Sequence, residues 1–506
     1  MLEYQLFSIF PSDSALSFLR RLSDTVTEFN KFFSPESVVI MGASNDPKKW
    51  GYRILANLVF GGFQGRIYAI NPNRDKILGK KVYKNVSDIP EIPDLAVIVV
   101  PPVSIVNTIR DCTEKGIKAG VVITAGFAEI GERGKALQTE MLEVARIGGM
   151  RLIGPNCFGI LSPSHKLYSQ MPPIFPPEGP VAVVSQSGNV GISIARRVMG
   201  LKFGISRLIS IGNEADLHSD DFLEFLDNDD KTKVILSYIE GFKNGRRFFE
   251  VAHEITRRKP VVMIKAGETE AGASAARSHT AALSGNDNAF DGVCRQAGII
   301  RVHNINALLN VGFGLLCNPL PRGRRVGIAA LGGGWGVLAA DACAKLGLQV
   351  VKLSEDVLKE LDSFLPAWWS RNNPVDTVAG DSKLQLRVID VLARYEQTDS
   401  IVALMLPTPE AAMWMKPANE EQRKQRDQII IDHYERVFRE IKGISKKYGK
   451  PVIVAADIML PSSTVDLDSE IKSIVAANES VYYGMPDEAA MVLDALARYG
   501  EYLNRA

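Results

Sequence analysis

Cysteine is scarce in this chain. Its five cysteines, Cys112, Cys157, Cys294, Cys317 and Cys343, lie far apart and form no Cys-x-x-Cys pair. That argues against a zinc site and a disulfide framework, and it fits a reducing cytoplasm. No metal-ligand set is expected. Charge of one sign is also missing: the formal net charge is +1 and no basic run stands out. Neither nucleic acid nor an anionic membrane is indicated as a partner. No apolar stretch reaches the length of a membrane span. The start, Met1 to Phe33, has mixed charges and lacks the basic head and apolar core of a signal peptide. It is expected to be an added helical segment. There is no Gly-x-x-x-x-Gly-Lys-[Ser/Thr] phosphate loop.

What the chain does have is length and repetition. At 506 residues it is too long for one hydrophobic core. Apolar, β-branched runs of a few residues recur, most ending in Gly, Pro, Asn or Ser and followed by amphipathic stretches of helix length. This is the pattern of strands buried on both faces of parallel sheets, alternating with crossover helices. The first group of runs is Val38–Ser44, Arg66–Pro72, Leu95–Pro102, Gly120–Gly126 and Arg151–Asn156. The second is Val181–Gly188, Ser206–Asn213, Val234–Gly241, Pro260–Gly267 and Gly298–Asn304. The third is Val326–Gly333, Leu348–Ser354, Ile401–Pro407 and Pro451–Asp457. Proline-rich segments separate the groups. The sequence therefore predicts an α/β chain: a helical extension over 1–33, then consecutive domains over 34–172, 178–318 and 323–506. The charged stretch Pro417–Tyr448 reads as a solvated helix.

Parallel sheets bind ligands at the carboxyl ends of their strands. In the first domain those tips are Gly42-Ala43-Ser44 with Lys48, Asn71-Pro72 with Arg74 and Lys76, Val100-Pro101, and Thr124-Ala125-Gly126. The opening is not a Gly-x-Gly-x-x-Gly fingerprint. The second tip carries no leading Asp or Glu to take ribose hydroxyls, and cations stand close behind it. That favours a nucleotide with an extra ribose phosphate, NADP or coenzyme A, with the successive prolines after Val100 tilting the choice to coenzyme A. An NADP-linked oxidoreductase stays open at this point. Phe127, Asn156 and Cys157, beside the last two tips, are candidates to line a substrate pocket. Cys157 is read as structural or lining rather than nucleophilic.

In the second domain, Ser187, Gly188 and Asn189 follow a strand and open a helix, where free amides and the helix dipole suit a phosphate. Glu240 ends another strand of that domain. A further strand leads into Lys265-Ala-Gly-Glu-Thr-Glu-Ala-Gly-Ala-Ser-Ala-Ala-Arg-Ser-His-Thr-Ala-Ala-Leu-Ser-Gly285, a run of small residues with His279 inside it. A carboxylate beside an imidazole fixes its tautomer and raises its basicity. That would make His279 the better nucleophile toward phosphorus. The Gly-rich run Ala329–Gly336 in the third domain allows either a nucleotide or a close approach of helix and strand.

Together these residues resemble the NDP-forming acyl-CoA synthetases, the superfamily of succinyl-CoA synthetase, and most nearly the α subunits of ADP-forming acetate–CoA ligases. The marks are Gly42-Ala-Ser-Asn-Asp-Pro-Lys-Lys, Ile123-Thr-Ala-Gly-Phe, Ile153-Gly-Pro-Asn-Cys, Ser185-Gln-Ser-Gly, Tyr238-Ile-Glu-Gly, Ile264-Lys-Ala-Gly and Ser278-His-Thr, in that order. The resemblance implies a Rossmann-like domain that binds coenzyme A, followed by two flavodoxin-like domains. It implies transient phosphorylation of His279, support of the phosphohistidine by Glu240, and a phosphate held at Ser187-Gly188. Two departures are visible: Ala281 and Ala282 stand where the family often has Gly and Ser, and Asn189 where it often has Ala, Ser or Thr. No stretch reads as an ATP-grasp module. The resemblance therefore implies an ATP-grasp β subunit as partner, carrying ADP or ATP with Mg²⁺, in a hetero-oligomer that acts on a small carboxylic acid or its acyl-CoA with phosphate. A catalytically silent CoA-binding scaffold is the alternative.

Overall fold

Short β-branched runs separated by Gly and Pro fold here as the spacing predicts. The computed structural model describes residues 29–274, 287–378, 381–404, 406, 408–458, 460 and 465–505. The chain divides into two compact units. One runs up to Arg301 apart from Gly200–Lys202, and the other holds those three residues and Val302–Ala506.

The first unit contains two sheets. One takes β1 (Ser37–Met41), β2 (Arg66–Ile70), β3 (Lys76–Ile77), β4 (Lys80–Tyr83), β5 (Leu95–Ile98), β6 (Ala119–Val122) and β7 (Arg151–Ile153), in the order β3-β4-β2-β1-β5-β6-β7. The other takes β8 (Gly159–Ser162), β9 (Leu167–Gln170), β10 (Glu178–Ser185), β11 (Ile205–Ser210), β12 (Val234–Ile239), β13 (Val261–Lys265) and β14 (Ile300–Val302), in the order β14-β13-β12-β10-β11-β8-β9. In each sheet the first long parallel strand, β1 or β10, has later strands on both sides. Strand order therefore reverses there, which opens a crevice at its carboxyl end. β1 is buried at every residue, as a strand covered by helices on both faces must be.

The hairpin β8–β9 precedes the proline-rich segment expected as a linker, yet β8 pairs antiparallel with β11 of the second sheet. Helical residues 29–33 bring Phe29 and Phe33 against Phe225, with ring centroids 5.0 and 4.8 Å apart. The expected extension is thus described only at its end, where it contributes aromatic core.

The second unit is built on β15 (Arg325–Ala330), β16 (Gln349–Val350), β17 (Val375–Asp376), β18 (Ser400–Leu404), β19 (Val452–Ala455) and β20 (Tyr482–Tyr483), all parallel. The helix Ile305–Cys317 packs in this unit, where Gly314 faces Val492 so closely that a Cβ would stand 2.4 Å from its methyl. The helix Glu420–Tyr448 is not the wholly solvated element expected from its charge. Ile430, Tyr434, Val437, Phe438 and Ile441 are buried along one face, spaced three and four residues apart. In the Gly-rich run, Gly336 closes a tight approach in which a Cβ would come 3.0 Å from Pro374. Among the described residues no helix is long and apolar enough to cross a membrane.

Candidate functional site

The first sheet gathers the expected tips along one edge. Gly42, at φ +93°, follows β1, and a Cβ there would stand 2.9 Å from the Val99 carbonyl oxygen. The next helix, Trp50–Phe60, starts directly on this turn: a Cβ on Gly51 would lie 2.1 Å from the Gly42 oxygen. Only glycine permits that approach. Ser44 Oγ accepts the Asp46 amide at 3.1 Å, and Asp46 Oδ1 accepts the Lys48 amide at 2.9 Å, which shapes the loop. Asn71 donates to the Ala43 oxygen at 2.7 Å, so its side chain braces the first tip from the second. Thr124 Oγ1 donates to the Val100 oxygen at 2.7 Å and ties the third tip to the fourth. Ala43 is buried; Gly42, Ser44, Val100, Thr124 and Gly126 are half-buried; Lys48, Pro72, Arg74, Lys76, Pro101 and Ala125 are exposed. A partly open row of backbone and small side chains flanked by lysines and an arginine suits a phosphorylated nucleotide, coenzyme A included.

The three candidate lining residues divide. Phe127 is fully buried, in one core with Ile98, Val122 and Met141. Cys157 is also enclosed, with Sγ 3.3 Å from the Val122 oxygen, and burial pushes its thiol up to about 12. Both side chains belong to hydrophobic cores. Asn156 stays half-open at φ +59° and donates from Nδ2 to Asn213 Oδ1 at 3.2 Å.

At the second sheet, Ser187 follows β10 and precedes the helix Gly188–Gly200. The Val190 amide points to Ser187 Oγ at 3.5 Å, and Gly191 donates to the Ser187 oxygen at 3.0 Å. Gly188 lies against Phe158, where a Cβ would come 2.2 Å from the ring. Ser187 and Gly188 are half-buried and Asn189 is exposed, so this helix start faces an opening. Glu240, buried at the end of β12, is the neighbouring tip in the same sheet.

Gln186 is the residue that the sequence did not single out. Its Nε2 donates to Glu214 Oε2 at 2.5 Å and to the Gly241 oxygen at 2.8 Å. Its Oε1 accepts the Glu240 amide and, at 3.3 Å, the Gly241 amide. Glu214 is itself buried, at φ +49°, and also accepts the Ser219 amide at 2.7 Å. Burial pushes its carboxyl up to about 7, against the lowering effect of the bonds from Gln186 and Ser219. On the residue before it, Asn213 Nδ2 donates to Glu129 Oε2 at 2.6 Å, and Glu129 Oε1 accepts the Gly126 and Phe127 amides. The signal for these groups is the polar stretch Ser210-Ile-Gly-Asn-Glu-Ala-Asp216 after an apolar run, whose spacing alone suits a turn as well as a site wall.

His279 lies outside the described residues. What brackets its segment is described. Lys265, buried at the end of β13, donates to the Ala266 and Gly267 oxygens at 3.1 and 3.2 Å and stands 3.5 Å from Asp287. Arg301 pairs with Asp287 at 2.8 Å and with Glu268 at 3.2 Å. Both ends of the stretch between Glu268 and Asp287 are thus held at the same sheet edge that carries Glu240 and Ser187. Among the described residues no group of three His, Cys, Asp or Glu could hold a metal ion.

Family models match in the same order: a CoA binding domain over residues 36–163, a succinyl-CoA ligase-like flavodoxin domain over 178–313, and a ligase-CoA domain over 326–403. Fold and models together define a CoA-dependent ligase of the succinyl-CoA ligase type. The α subunit of ADP-forming acetate–CoA ligase II from Pyrococcus furiosus is 37% identical over 92% of this chain and 97% of its own length. The α subunit of isoenzyme I from the same organism is 39% identical over 78% of this chain and 87% of its own. A solved dinucleotide forming acetyl-coenzyme A synthetase 1 from Ca. Korarchaeum cryptofilum, in complex with phosphate and ADP, superposes with a TM-score of 0.79 at 32% identity, covering 94% of this chain and 97% of that one. The chain belongs to the ADP-forming acyl-CoA synthetase family and corresponds to its α subunits.

Proposed function

We propose that this chain is the phosphoryl-relay subunit of an ADP-forming acyl-CoA synthetase, with His279 as its phosphate carrier. The first-sheet edge, from Gly42 to Gly126, holds the acyl-CoA, with Lys48 and Lys76 facing its phosphates. Inorganic phosphate attacks the thioester carbonyl; the carbon–sulfur bond breaks, the thiolate takes a proton, and an acyl phosphate remains. A ring nitrogen of His279 then attacks phosphorus, and the carboxylate leaves. The amides at Ser187, Gly188 and Asn189 stabilise charge on the transferring group, and Glu240 orients the imidazole. The phosphoryl group passes to ADP, bound with Mg²⁺ on an ATP-grasp β subunit, giving ATP. The whole sequence is reversible, because thioester and phosphoanhydride are both reactive. The substrate is a small carboxylic acid or its CoA ester, and the working assembly is a cytoplasmic hetero-oligomer.

One observation carries this reading. A half-open helix start, a buried strand-end glutamate and the two clamped ends of the His279 segment all leave one edge of one sheet. The names of the relatives as α subunits support a partner chain. The test is to incubate the chain, with its β partner, with acetyl-CoA and radiolabelled phosphate. Acid-labile label on the wild type and none on His279→Ala is expected. No label on the wild type would favour a CoA-binding protein that turns nothing over.

A further inference from the structure

The carboxamide of Gln186 is saturated. It gives two hydrogen bonds and takes two, and each end meets only groups of the opposite kind. Its oxygen collects the Glu240 and Gly241 amides, so its position sets where the end of β12 stands. Its nitrogen is fixed from the other side by Glu214. That glutamate is 2% exposed and receives a second donor, the Ser219 amide, on its other oxygen. A carboxylate suits this place because two donors arrive and it offers two acceptors. A glutamine there has one acceptor and one donor, so one of the arriving N–H groups would face another N–H.

We propose that Glu214 is a positioning residue: through Gln186 it holds the backbone of Glu240, and hence the carboxylate that serves the phosphoryl site, in its working place. The proposal rests on the phosphohistidine reading above. Glu214 touches no reacting atom. Its contribution is geometric, and a displacement of about an ångström at a transfer site costs on the order of a hundredfold in rate. Glu214 and Asn213 are consecutive, and Asn213 bonds Glu129 beside the first-sheet tip. One short turn therefore braces the phosphoryl side with one side chain and the acyl-CoA side with the next.

The test uses the complex with its partner subunit, acetyl-CoA and radiolabelled phosphate at pH 8, where Glu214 is mostly ionised, read as single-turnover labelling together with the acetyl-CoA KM. Wild-type labelling that is lost in His279→Ala establishes the reading on which the proposal stands; without it, the reading and the proposal fall together. With it in place, Glu214→Gln is expected to slow labelling by about tenfold or more while the KM stays within about threefold. Gln186→Ala is expected to lose as much, and the double variant to be no slower than the slower single variant, because both act through one link. Labelling by Glu214→Gln at the wild-type rate overturns the proposal. So does a loss carried wholly by KM, or losses that multiply in the double variant. Should Glu214→Gln fail to fold, Glu214→Asp keeps two acceptors on a shorter arm. It is expected to slow labelling by about threefold, and a wild-type rate from it overturns the proposal.

Discussion

Asn213 and Glu129 join the two halves of the first unit at 2.6 Å, the amide at the end of β11 donating to a carboxylate that follows β6. The other oxygen of Glu129 takes the Gly126 and Phe127 amides at 2.6 and 3.1 Å. Burial alone would raise this carboxyl, but the bonds from Asn213 and the two amides offset it and hold the group below its usual range. A depressed carboxyl stabilises the fold above its unfolded pKa and loses that effect as pH falls through the folded value. Glu129→Ala is therefore expected to cost about 1–2 kcal/mol at pH 7, a figure kept small by the group's partial exposure. The gap to wild type should close as pH falls below about 4. Urea midpoints of both proteins across that range check it.

Glu214 behaves in the opposite sense. Burial raises its carboxyl to about 7, so its folded-state pKa lies above the unfolded one. Its contribution is then fully present below about pH 4.5 and is lost as pH rises through 7. The wild type should lose about 3 kcal/mol from this group between those limits, and Glu214→Gln should lack that loss. Thermal midpoints at pH 5 and pH 8 decide it: equal slopes for the two proteins would contradict the assignment.

Much of this is legible in the residues. Buried parallel strands announce themselves because both faces are apolar, as in Val38-Val-Ile-Met41 and Val261-Val-Met-Ile264. The hairpin Gly159–Gln170 escapes the eye because each strand has four residues and the β11 residues that β8 pairs with lie nearly fifty positions on. Helix Glu420–Tyr448 misleads by charge: its buried stripe shows only when residues are counted by threes and fours. The Ser187-Gly188 turn is readable, since small polar residues after an apolar run have few other uses. Gln186 and Glu214 are not readable, because their role exists only once strand tips 28 and 54 residues apart have met. Phe127 and Cys157 show the converse. A side chain next to a tip can point in or out, and neighbours far away in sequence decide which.

Gly188 supplies a steric prediction. A Cβ there would come 2.2 Å from the Phe158 ring. Gly188→Ala must push either the ring or the helix start aside, at about 1–3 kcal/mol. Because that start carries the proposed phosphate amides, labelling by phosphate should fall too. In a Phe158→Ala background the loss from Gly188→Ala should be smaller than in the wild type, since Cγ and Cδ1, the two atoms 2.2 Å from the added Cβ, are gone. An equal loss in both backgrounds would mean the contact is not the cause.

All five cysteines are buried, and burial raises the thiols of Cys112, Cys157, Cys294, Cys317 and Cys343 to about 12. A thiol at that value is almost entirely protonated at pH 8 and reacts slowly even where a reagent reaches it. The folded chain should give no rapid thiol reaction with an aromatic disulfide reagent, and full reaction in denaturant. Cys157→Ser should retain labelling at His279, which separates a structural cysteine from a nucleophile.

The last prediction concerns the clamp on the His279 segment. Arg301 is 7% exposed in its side chain and bonds both Asp287, at one end of that segment, and Glu268, at the other. Among the described residues, Lys265 is the cation that would remain near Asp287 if the guanidinium were removed, and at 3.5 Å it makes the weaker link. Arg301→Met keeps most of the side-chain volume and deletes the fork. Glu268 and Asp287 are about a third exposed, so water and Lys265 offset part of the lost pairing and a loss of about 1–2 kcal/mol is expected. Hydrogen exchange should rise at residues 266–274 and 287–296, while the helix Trp50–Phe60 and acyl-CoA binding at the first sheet stay as they were. On the proposed relay, phosphate labelling should slow, because the described ends of the segment that contains His279 are no longer held together. Unchanged exchange at 266–274 with slowed labelling would mean that Arg301 acts through its charge, and not as a clamp.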